Sequence, residues 1–354
     1  MTVRIGVIGT GFARRVQLPG LRLVPGVRVT AVASGRRANA ETVAREFGIP
    51  HVFDDGLELV RSADVDLVII SSTPDTHAPY AVAALAAGKH VLCEKPTALN
   101  AGEANRMLAA AERRHGQVAW VDHELRYEPN RRKVHDLIRA GVMGEVRHLE
   151  LVLRPYLRGD GRPQAGDAPW TWWSDATKGG GLLGAVGSHL IDLCRYWTAS
   201  EVVHVAGGVA TFVKQRRDET GAVRAVTADD FANFVLRLGT GAVATVTLSA
   251  VGFHGTGHQA HVTGSDGTVV LTGETKLELG RPGAPLEDIS VPDDLAGQVP
   301  VNNMWARSFV RLMRELVTVV EGGTAAGTPA TFRDGVQVQR VLDAVRAGGG
   351  TPLD

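Results

Sequence analysis

The sequence predicts an α/β fold, with an N-terminal Rossmann domain built on a doubly wound parallel sheet and a C-terminal α+β domain whose large sheet is mainly antiparallel. Apolar strand runs alternate with helical segments in the first third of the chain, which is typical of βαβ units. Consecutive hairpins follow further on, and hairpins build antiparallel sheets. A length of 354 residues exceeds one ordinary core. We therefore expect two domains, over residues 1–122 and 123–354, with the last helices able to pack back on the first domain.

The elements of the first domain follow from apolar runs and from helix punctuation. Pro79 suits the first turn of a helix that Gly88 ends, and Asn100 with Glu103 three residues later forms a capping-box pattern. The predicted strands of this domain are Arg4–Ile8, Val27–Ala33, Val65–Ser71, His90–Glu94 and Val118–Val121.

The pattern changes after about Asp122. Gly239-Thr240-Gly241 and Gly264-Ser265-Asp266-Gly267 are turn sequences between apolar runs, and each predicts a hairpin. A segment rich in Pro, Gly and Asp, residues 280–301, is expected to be loop. The other predicted elements are a helix over 130–140, a strand over 146–153, hairpin strands over 231–238, 242–250, 259–263 and 268–271, and helices over 305–321 and 334–347.

Composition excludes several classes of function. Lys+Arg and Asp+Glu both number 38, so the formal net charge is zero, and nothing favours nucleic acid or an anionic membrane as a partner. Cys93 and Cys194 are too few for a disulfide framework. The sequence shows no apolar run long enough to cross a bilayer and opens directly into a strand without a secretion signal. We therefore expect a cytoplasmic protein.

Gly9-Thr10-Gly11 directly follows the first predicted strand and precedes a helical stretch. In a Rossmann unit the first glycine permits the tight turn and the second lets the backbone approach a pyrophosphate at the helix N-terminus. The third glycine of the fingerprint is replaced by Arg14, with Ala13 beside it. The strand before the turn and the βαβ pattern after it favour a dinucleotide site over a plain strand-to-helix turn.

The end of the second strand predicts which dinucleotide binds. NAD-specific domains place an acid there against the ribose 2′-hydroxyl, but this chain has Ser34-Gly35-Arg36-Arg37. Guanidinium groups suit a 2′-phosphate, so NADP(H) is more favoured than NAD(H). The alternative is that Arg36 and Arg37 simply lie on a solvated loop.

Glu94-Lys95-Pro96 follows the strand that begins at His90. In open α/β sheets ligands bind beyond the carboxyl ends of the strands, so Lys95 is expected where a nicotinamide would lie. The alternative is an ordinary surface lysine.

In this order along nearly the whole chain, these motifs resemble the family named after glucose–fructose oxidoreductase, inositol dehydrogenase and MocA. The resemblance includes Thr73-Pro74-Asp75-Thr76-His77, Gly141-Val142-Met143-Gly144-Glu145, Gly179-Gly180-Gly181, Gly187-Ser188-His189-Leu190-Ile191-Asp192 and Phe332-Arg333-Asp334-Gly335. Glu94-Lys95-Pro96, at this distance from the glycine turn, is the most specific of its elements.

The resemblance implies roles for individual residues. Lys95 would contact the reacting hydroxyl, and His189 would be the acid/base with Asp192 nearby. Two positions depart from the family: Ala185 stands where its dehydrogenases commonly carry an Asp, and Trp173-Ser174 replaces a Trp-Arg pair. The implied cofactor contacts are Gly9, Thr10, Gly11, Phe12, Ala13, Arg14, Ser34, Arg36, Arg37, Ser72, Thr73, Pro74, His77, Glu94, Lys95 and Pro96.

Oxidation of a secondary alcohol needs a hydride acceptor and a base whose pKa lies near the ambient pH, which histidine satisfies. We hypothesise that Lys95 stabilises the developing alkoxide while His189 moves the proton. Asp192, three residues on in a predicted helix, would orient His189. The alternative for His189 is a packed helix histidine.

Substrate contacts are predicted only loosely, and each has an ordinary structural alternative in the core or at the surface. The candidates are Glu124, Arg126, Tyr156, Trp172 and Trp173. No metal site is predicted, because His254, His258 and His261 lie among glycines with no cysteine or clear acid to complete a set.

The leading hypothesis is an NAD(P)-dependent dehydrogenase or reductase acting on a sugar, cyclitol or related small molecule. A redox-assisted glycoside-cleaving enzyme with bound NAD and a non-catalytic nucleotide sensor are the alternatives. Because one face of the second sheet would otherwise stay uncovered, we expect a homodimer or homotetramer.

Overall fold

The computed structural model describes residues 2–114, 116–154, 168–298 and 303–353. These residues form two compact units, one from Met1–Glu128 with Asp294–Val336 and one from Pro129–Asp293 with Gln337–Asp354. The helices are α1 (Leu18–Leu21), α2 (Arg37–Phe47), α3 (Gly56–Leu59), α4 (His77–Ala86), α5 (Ala101–Glu112), α6 (Pro129–Arg139), α7 (Ser188–Thr198), α8 (Met304–Val320) and α9 (Phe332–Arg346).

The strands are numbered in chain order. They are β1 (Val3–Ile8), β2 (Val27–Ala33), β3 (His51–Phe53), β4 (Leu67–Ile70), β5 (His90–Cys93), β6 (Ala119–Val121), β7 (Val146–Arg154), β8 (Val202–Ala210), β9 (Gln215–Arg217), β10 (Val223–Ala225), β11 (Phe231–Leu238), β12 (Val243–Ser249), β13 (Gly257–Gly264), β14 (Thr268–Thr272), β15 (Lys276–Gly280), β16 (Glu287–Asp288) and β17 (Gly349–Pro352).

The first unit contains the predicted doubly wound sheet, with all six strands parallel in the order β3-β2-β1-β4-β5-β6. Both faces of this sheet are covered. In β4, Leu67 and Ile69 belong to one apolar cluster while Val68 and Ile70 belong to the other. This explains the unbroken apolar run of that strand. The order of strands reverses between β1 and β4, which is the topological switch point of such sheets.

The structure confirms Asn100 as the N-cap of α5, and Glu103 reaches back to the amide of the preceding residue, Leu99. Asn100 Oδ1 accepts a hydrogen bond from the Glu103 amide at 3.0 Å, and the Leu99 amide donates to Glu103 Oε2 at 3.2 Å. The helix predicted from Pro79 begins at His77 and ends at Ala86, so Pro79 lies in its first turn.

The second unit contains a mixed sheet in the order β16-β15-β14-β13-β7-β12-β11-β8-β17. Both predicted hairpins are present, as β11–β12 and β13–β14. The pairing of β12 with β7 is parallel and the other neighbours are antiparallel. β11 alternates buried and exposed residues, so one face of the sheet is apolar core and α7 packs against β7. Within the predicted loop, Glu287–Asp288 add a short edge strand.

Among the described residues, no helix has the length and apolar character needed to cross a membrane.

Candidate functional site

The glycine turn after β1 has the backbone shape that a dinucleotide site requires. Gly9 has φ +97°, and a Cβ on it would lie 2.3 Å from the Ser71 carbonyl oxygen. A side chain is therefore excluded there by backbone conformation and by space. Gly11 faces open space, with no atom within 4 Å of a Cβ built on it. The turn thus leaves room for an approaching ligand at Gly11.

A cavity of about 470 Å³ opens beside this turn. Its lining comes from the turn, from the helical segment after it and from α2, and consists of Thr10, Gly11, Arg14, Arg15, Asn39, Thr42, Val43 and Glu46. The Thr10 and Ser34 hydroxyls lie 3.2 Å apart, which ties the turn to the end of β2. The predicted Ser34, Thr10 and Gly11 are therefore brought together in one unit. Because Thr10 and Gly11 line this cavity, the open backbone of the turn is accessible from it.

The two arginines after β2 lie in different environments. Arg37 donates to Glu41 Oε1 at 2.8 Å and also to Asp54, so two carboxylates offset its charge. Arg36 precedes α2 and is exposed. Arg14, at the third fingerprint position, donates to Glu46 Oε2 at 2.6 Å. No acid occupies residues 34–37.

His77 connects the loops that follow β4 and β5. Its Nδ1 lies 3.0 Å from the Pro96 carbonyl oxygen, and its Nε2 lies 3.1 Å from that of Ser72. Burial lowers the pKa of His77, although both carbonyl contacts oppose the effect. The ring therefore fixes the loop of Ser72, Thr73 and Pro74 against the segment that carries Lys95.

Lys95 lies at the carboxyl end of β5, where the sequence predicts it. Its Nζ is 3.9 Å from Glu94 Oε2, 5.8 Å from the Phe12 ring centroid and 6.0 Å from that of Trp305. These distances allow cation–π attraction to both rings. Its side chain is only 12% exposed. The amine is thus held between the residue that follows the glycine turn and the start of α8.

Three buried acidic side chains lie close to one another near Lys95. We call Glu94, Asp122 and Glu124 the carboxyl cluster. Gln17 Nε2 donates to Glu94 Oε1 and to Asp122 Oδ2, each at 2.9 Å. The backbone fixes the positions, because the Glu94 amide donates to Ile70 at 2.8 Å and the Asp122 amide to Cys93 at 2.7 Å.

The cluster holds its protons more tightly than isolated acids do. Burial raises the pKa of Glu124 to about 8, with Glu94 adding to the effect and Lys95 opposing it. Burial also raises the pKa of Asp122 well above its ordinary value, and the neighbouring Glu124 and Glu94 raise it further. The pKa of Glu94 is raised by burial against the influence of Lys95. Three carboxyl groups excluded from water cannot all ionise beside one ammonium.

His189 and Asp192 belong to the second unit. Both are buried on α7, one turn apart, and Asp192 Oδ1 lies 3.8 Å from Arg195 Nη1. Arg195 in turn binds Glu201 at 2.7 Å. Ala185 lies in the π-helical turn Leu183–Gly187 that leads into α7.

The loosely predicted substrate contacts occupy varied surroundings. Arg126 is buried and donates to the Thr328 carbonyl at 3.0 Å and to Asp334 at 3.1 Å. Trp172 and Trp173 have ring centroids 5.3 Å apart in the second unit, and Trp173 is exposed. Tyr156 lies outside the described residues. Over the described ranges, no group of three or more His, Cys, Asp or Glu side chains could hold a metal ion.

Sequence reasoning missed Gln17, Asp122 and Trp305 as members of this site. Asp122 carried a usable signal, since it directly follows β6 and the carboxyl ends of parallel strands meet at one edge of a sheet. Gln17 and Trp305 carry no comparable local signal.

Comparison with known proteins matches both halves of the chain to family models. Residues 3–123 match an oxidoreductase family with an NAD-binding Rossmann fold, and residues 131–270 match the GFO/IDH/MocA C-terminal domain. Glucose-fructose oxidoreductase domain-containing protein 2 of Xenopus laevis is 32% identical over 97% of this chain and 90% of that protein.

Two solved structures share the fold. An oxidoreductase domain protein from Kribbella flavida has TM-score 0.83 and 27% identity, covering 97% of this chain and 96% of the other. Levoglucosan dehydrogenase, solved with NADH and L-sorbose, has TM-score 0.85 and 22% identity, with the same coverage of 97% and 96%.

Proposed function

Because this chain belongs to the Gfo/Idh/MocA family of NAD-binding oxidoreductases, we propose that it transfers a hydride between NADP(H) and a secondary alcohol or ketone of a sugar, cyclitol or related compound. The nicotinamide ring, when bound, accepts or gives up the hydride. The residues described above bind, orient and manage protons around that exchange.

One observation carries the proposal: the Lys95 amine lies 5.8 Å from the ring of Phe12, which directly follows the glycine turn. The predicted pyrophosphate site and the predicted reacting site are therefore neighbours within one unit. The NADH and L-sorbose described for levoglucosan dehydrogenase support a nicotinamide dinucleotide as the cofactor and a sugar as the substrate.

In this proposal Lys95 donates a hydrogen bond to the reacting oxygen and stabilises its negative charge as the proton leaves. Charge stabilisation of this kind is effective because solvent weakens the field of a cation that is only 12% exposed much less than that of a surface cation. His189 takes the proton of the reacting hydroxyl or returns it, and Asp192 orients the His189 side chain. The implied cofactor contacts keep their proposed roles: Gly9, Thr10, Gly11, Phe12, Ala13, Arg14, Ser34, Arg36, Arg37, Ser72, Thr73, Pro74, His77, Glu94, Lys95 and Pro96.

Turnover with sugars, cyclitols and their keto forms, followed by the absorbance of reduced nicotinamide, tests this function. Lys95→Met should lower the rate by at least about 100-fold while dinucleotide binding persists, since the alkoxide loses its partner. Lys214→Met, at an exposed lysine of the second unit, is the matched control. Near-normal turnover in Lys95→Met would refute the role of this amine.

The preference for NADP(H) is supported by the absence of an acid after β2 and by the arginines there. Arg36→Ala should weaken NADPH binding by about tenfold, roughly 1.4 kcal/mol, with little effect on NADH. Arg28→Ala, at an exposed position of β2, is the control. Equal affinity of the wild-type protein for both dinucleotides would contradict the preference.

Ala185 favours one second candidate, a non-catalytic nucleotide sensor. Alanine cannot complete a proton relay, so a sensor would bind the dinucleotide without turning over any sugar. Turnover by the wild-type protein contradicts the sensor, whereas turnover that appears only in Ala185→Asp supports it.

We also propose that the protein is a homodimer or homotetramer. On the face of the large sheet that carries Val235, Thr245 and Thr247, these β-branched side chains are half-buried or exposed, and Asn233 and Arg237 share the face. Such faces commonly pair with a second copy.

A further inference from the structure

The carboxyl cluster has more acceptors than donors. In the described part of the chain, Asp122 Oδ1 and Gln17 Oε1 are buried and have no hydrogen-bond partner. Both N–H groups of Gln17 Nε2 already donate hydrogen bonds, one to Glu94 and one to Asp122. Buried acceptors without donors are costly, and a proton on one carboxyl turns an acceptor into a donor. A proton on one carboxyl of the cluster is therefore favoured by this geometry.

The cluster also interacts electrostatically with Lys95. Glu94 Oε2 is 3.9 Å from Lys95 Nζ, and the charges of both Glu94 and Lys95 act on the Glu124 carboxyl. The titratable or charged residues on elements packed around Glu124 are Glu94, Lys95, Asp122, His123 and Arg126, and on α8 Arg307, Arg311, Arg314 and Glu315. Arg311 pairs with Asp294, and Glu315 accepts a hydrogen bond from Tyr127.

We propose that the carboxyl cluster is a proton store coupled to Lys95. The cluster keeps a proton in the free protein and in the complex with the reduced cofactor, and it releases this proton when the oxidised cofactor binds. This inference rests on the proposed function. The step is the ionisation of one carboxylic acid to a carboxylate with transfer of its proton to solvent, and reduction of the cofactor reverses it. Glu94, Asp122 and Glu124 are positioning residues here, because they act through the charge of Lys95.

The physical reason is charge balance. An oxidised nicotinamide is positive and the reduced ring is neutral, so only the oxidised form adds a second positive charge next to the ammonium. Ionisation of a nearby carboxyl offsets one of these charges in a site that excludes water. For Glu124, with a pKa of about 8, a lowering by one pH unit would release about half a proton at pH 7.5.

Calorimetric titration of the whole protein with NADP⁺ and with NADPH, in buffers of different ionisation enthalpy, measures the protons released by each. We expect wild-type protein to release about half a proton more with NADP⁺ than with NADPH at pH 7.5. Glu124→Gln should lose more than half of that difference and still bind both dinucleotides. Glu58→Gln, at an exposed glutamate of the same unit, should keep it.

Other outcomes decide against the inference in distinct ways. A wild-type difference that persists in Glu124→Gln and in Asp122→Asn would place the proton on Lys95 or elsewhere and overturn the store. Equal proton release for both dinucleotides would do the same. If neither variant folds, the wild-type protein still decides, because the difference must fade below pH 6 as the acid stays protonated. Failure of the wild type to bind either dinucleotide would instead refute the proposed function, and this inference with it.

Discussion

Gly9 and Gly11 stand two residues apart in the same turn, yet the structure predicts opposite consequences for replacing each by alanine. Gly9→Ala should destabilise the protein before any ligand is added. Gly11→Ala should leave the free protein intact and weaken dinucleotide binding.

The magnitudes follow from the space around each residue. At Gly9 a Cβ would lie 2.3 Å from the Ser71 carbonyl oxygen and 2.5 Å from the Ser72 amide nitrogen, and both are backbone atoms. A left-handed conformation costs a non-glycine residue about 1–2 kcal/mol, and a steric overlap in a packed region costs about 1–3 kcal/mol more. We expect Gly9→Ala to lower the free energy of unfolding by about 2–5 kcal/mol. At Gly11 the same Cβ meets nothing within 4 Å, and alanine in a helical stretch is favoured over glycine by about 0.5–1 kcal/mol.

Denaturant unfolding measures the first effect and fluorescence titration with NADPH the second. Gly11→Ala should unfold at the wild-type denaturant concentration or above it and bind NADPH at least about tenfold more weakly, a loss of roughly 1.4 kcal/mol. If Gly11→Ala binds NADPH as tightly as wild type, the dinucleotide does not approach this backbone. If Gly9→Ala unfolds at the wild-type denaturant concentration, the turn tolerates a side chain at this position.

Three further predictions concern other parts of the chain. Because burial raises the pKa of Glu124 from 4.5 to about 8, the folded state binds the extra proton, and wild-type stability should fall as the pH rises from 4.5 to 8, with Glu124 contributing at most about 1.4 kcal/mol per pH unit. Denaturation of Glu124→Gln across this range should give a flatter slope, and an identical slope would contradict the assignment. His77→Ala should lower the free energy of unfolding by about 1–3 kcal/mol, since the neutral ring donates to one of the two backbone carbonyl oxygens and that oxygen loses its partner; unchanged unfolding would show that the ring does not connect the loops. Val235→Lys should shift the protein to smaller species in light scattering after gel filtration, whereas Val223→Lys, on the β9–β10 ribbon, should not; a wild-type monomer would contradict the oligomer.

The fold was predictable where local signals matched the tertiary environment. β4 is covered on both faces and is a continuous apolar run, while β11 has one apolar face and alternates. β3 (His51–Phe53) was missed because it is a short edge strand with little buried surface. β8 (Val202–Ala210) was missed as well, and its Gly207-Gly208 weakens the strand pattern.

The site was predictable to the extent that residues follow strand ends. The glycine turn and Lys95 are both found this way, because a parallel sheet brings its carboxyl ends to one edge. The link from Gln17 to Glu94 spans 77 residues and that to Asp122 spans 105, so no sequence window contains it. The raised pKa values of the carboxyl cluster likewise depend on burial, which only the packed structure reveals.

The central claim is that a nicotinamide dinucleotide lies along the carboxyl edge of the six-stranded sheet with its reactive ring beside residue 95. A crystal structure of the protein soaked with NADPH tests it most directly. We expect electron density for the pyrophosphate at the backbone of Gly9 to Arg14 and for the dihydronicotinamide next to the Lys95 amine. A dinucleotide bound elsewhere, or that edge without density at saturating NADPH, would contradict it.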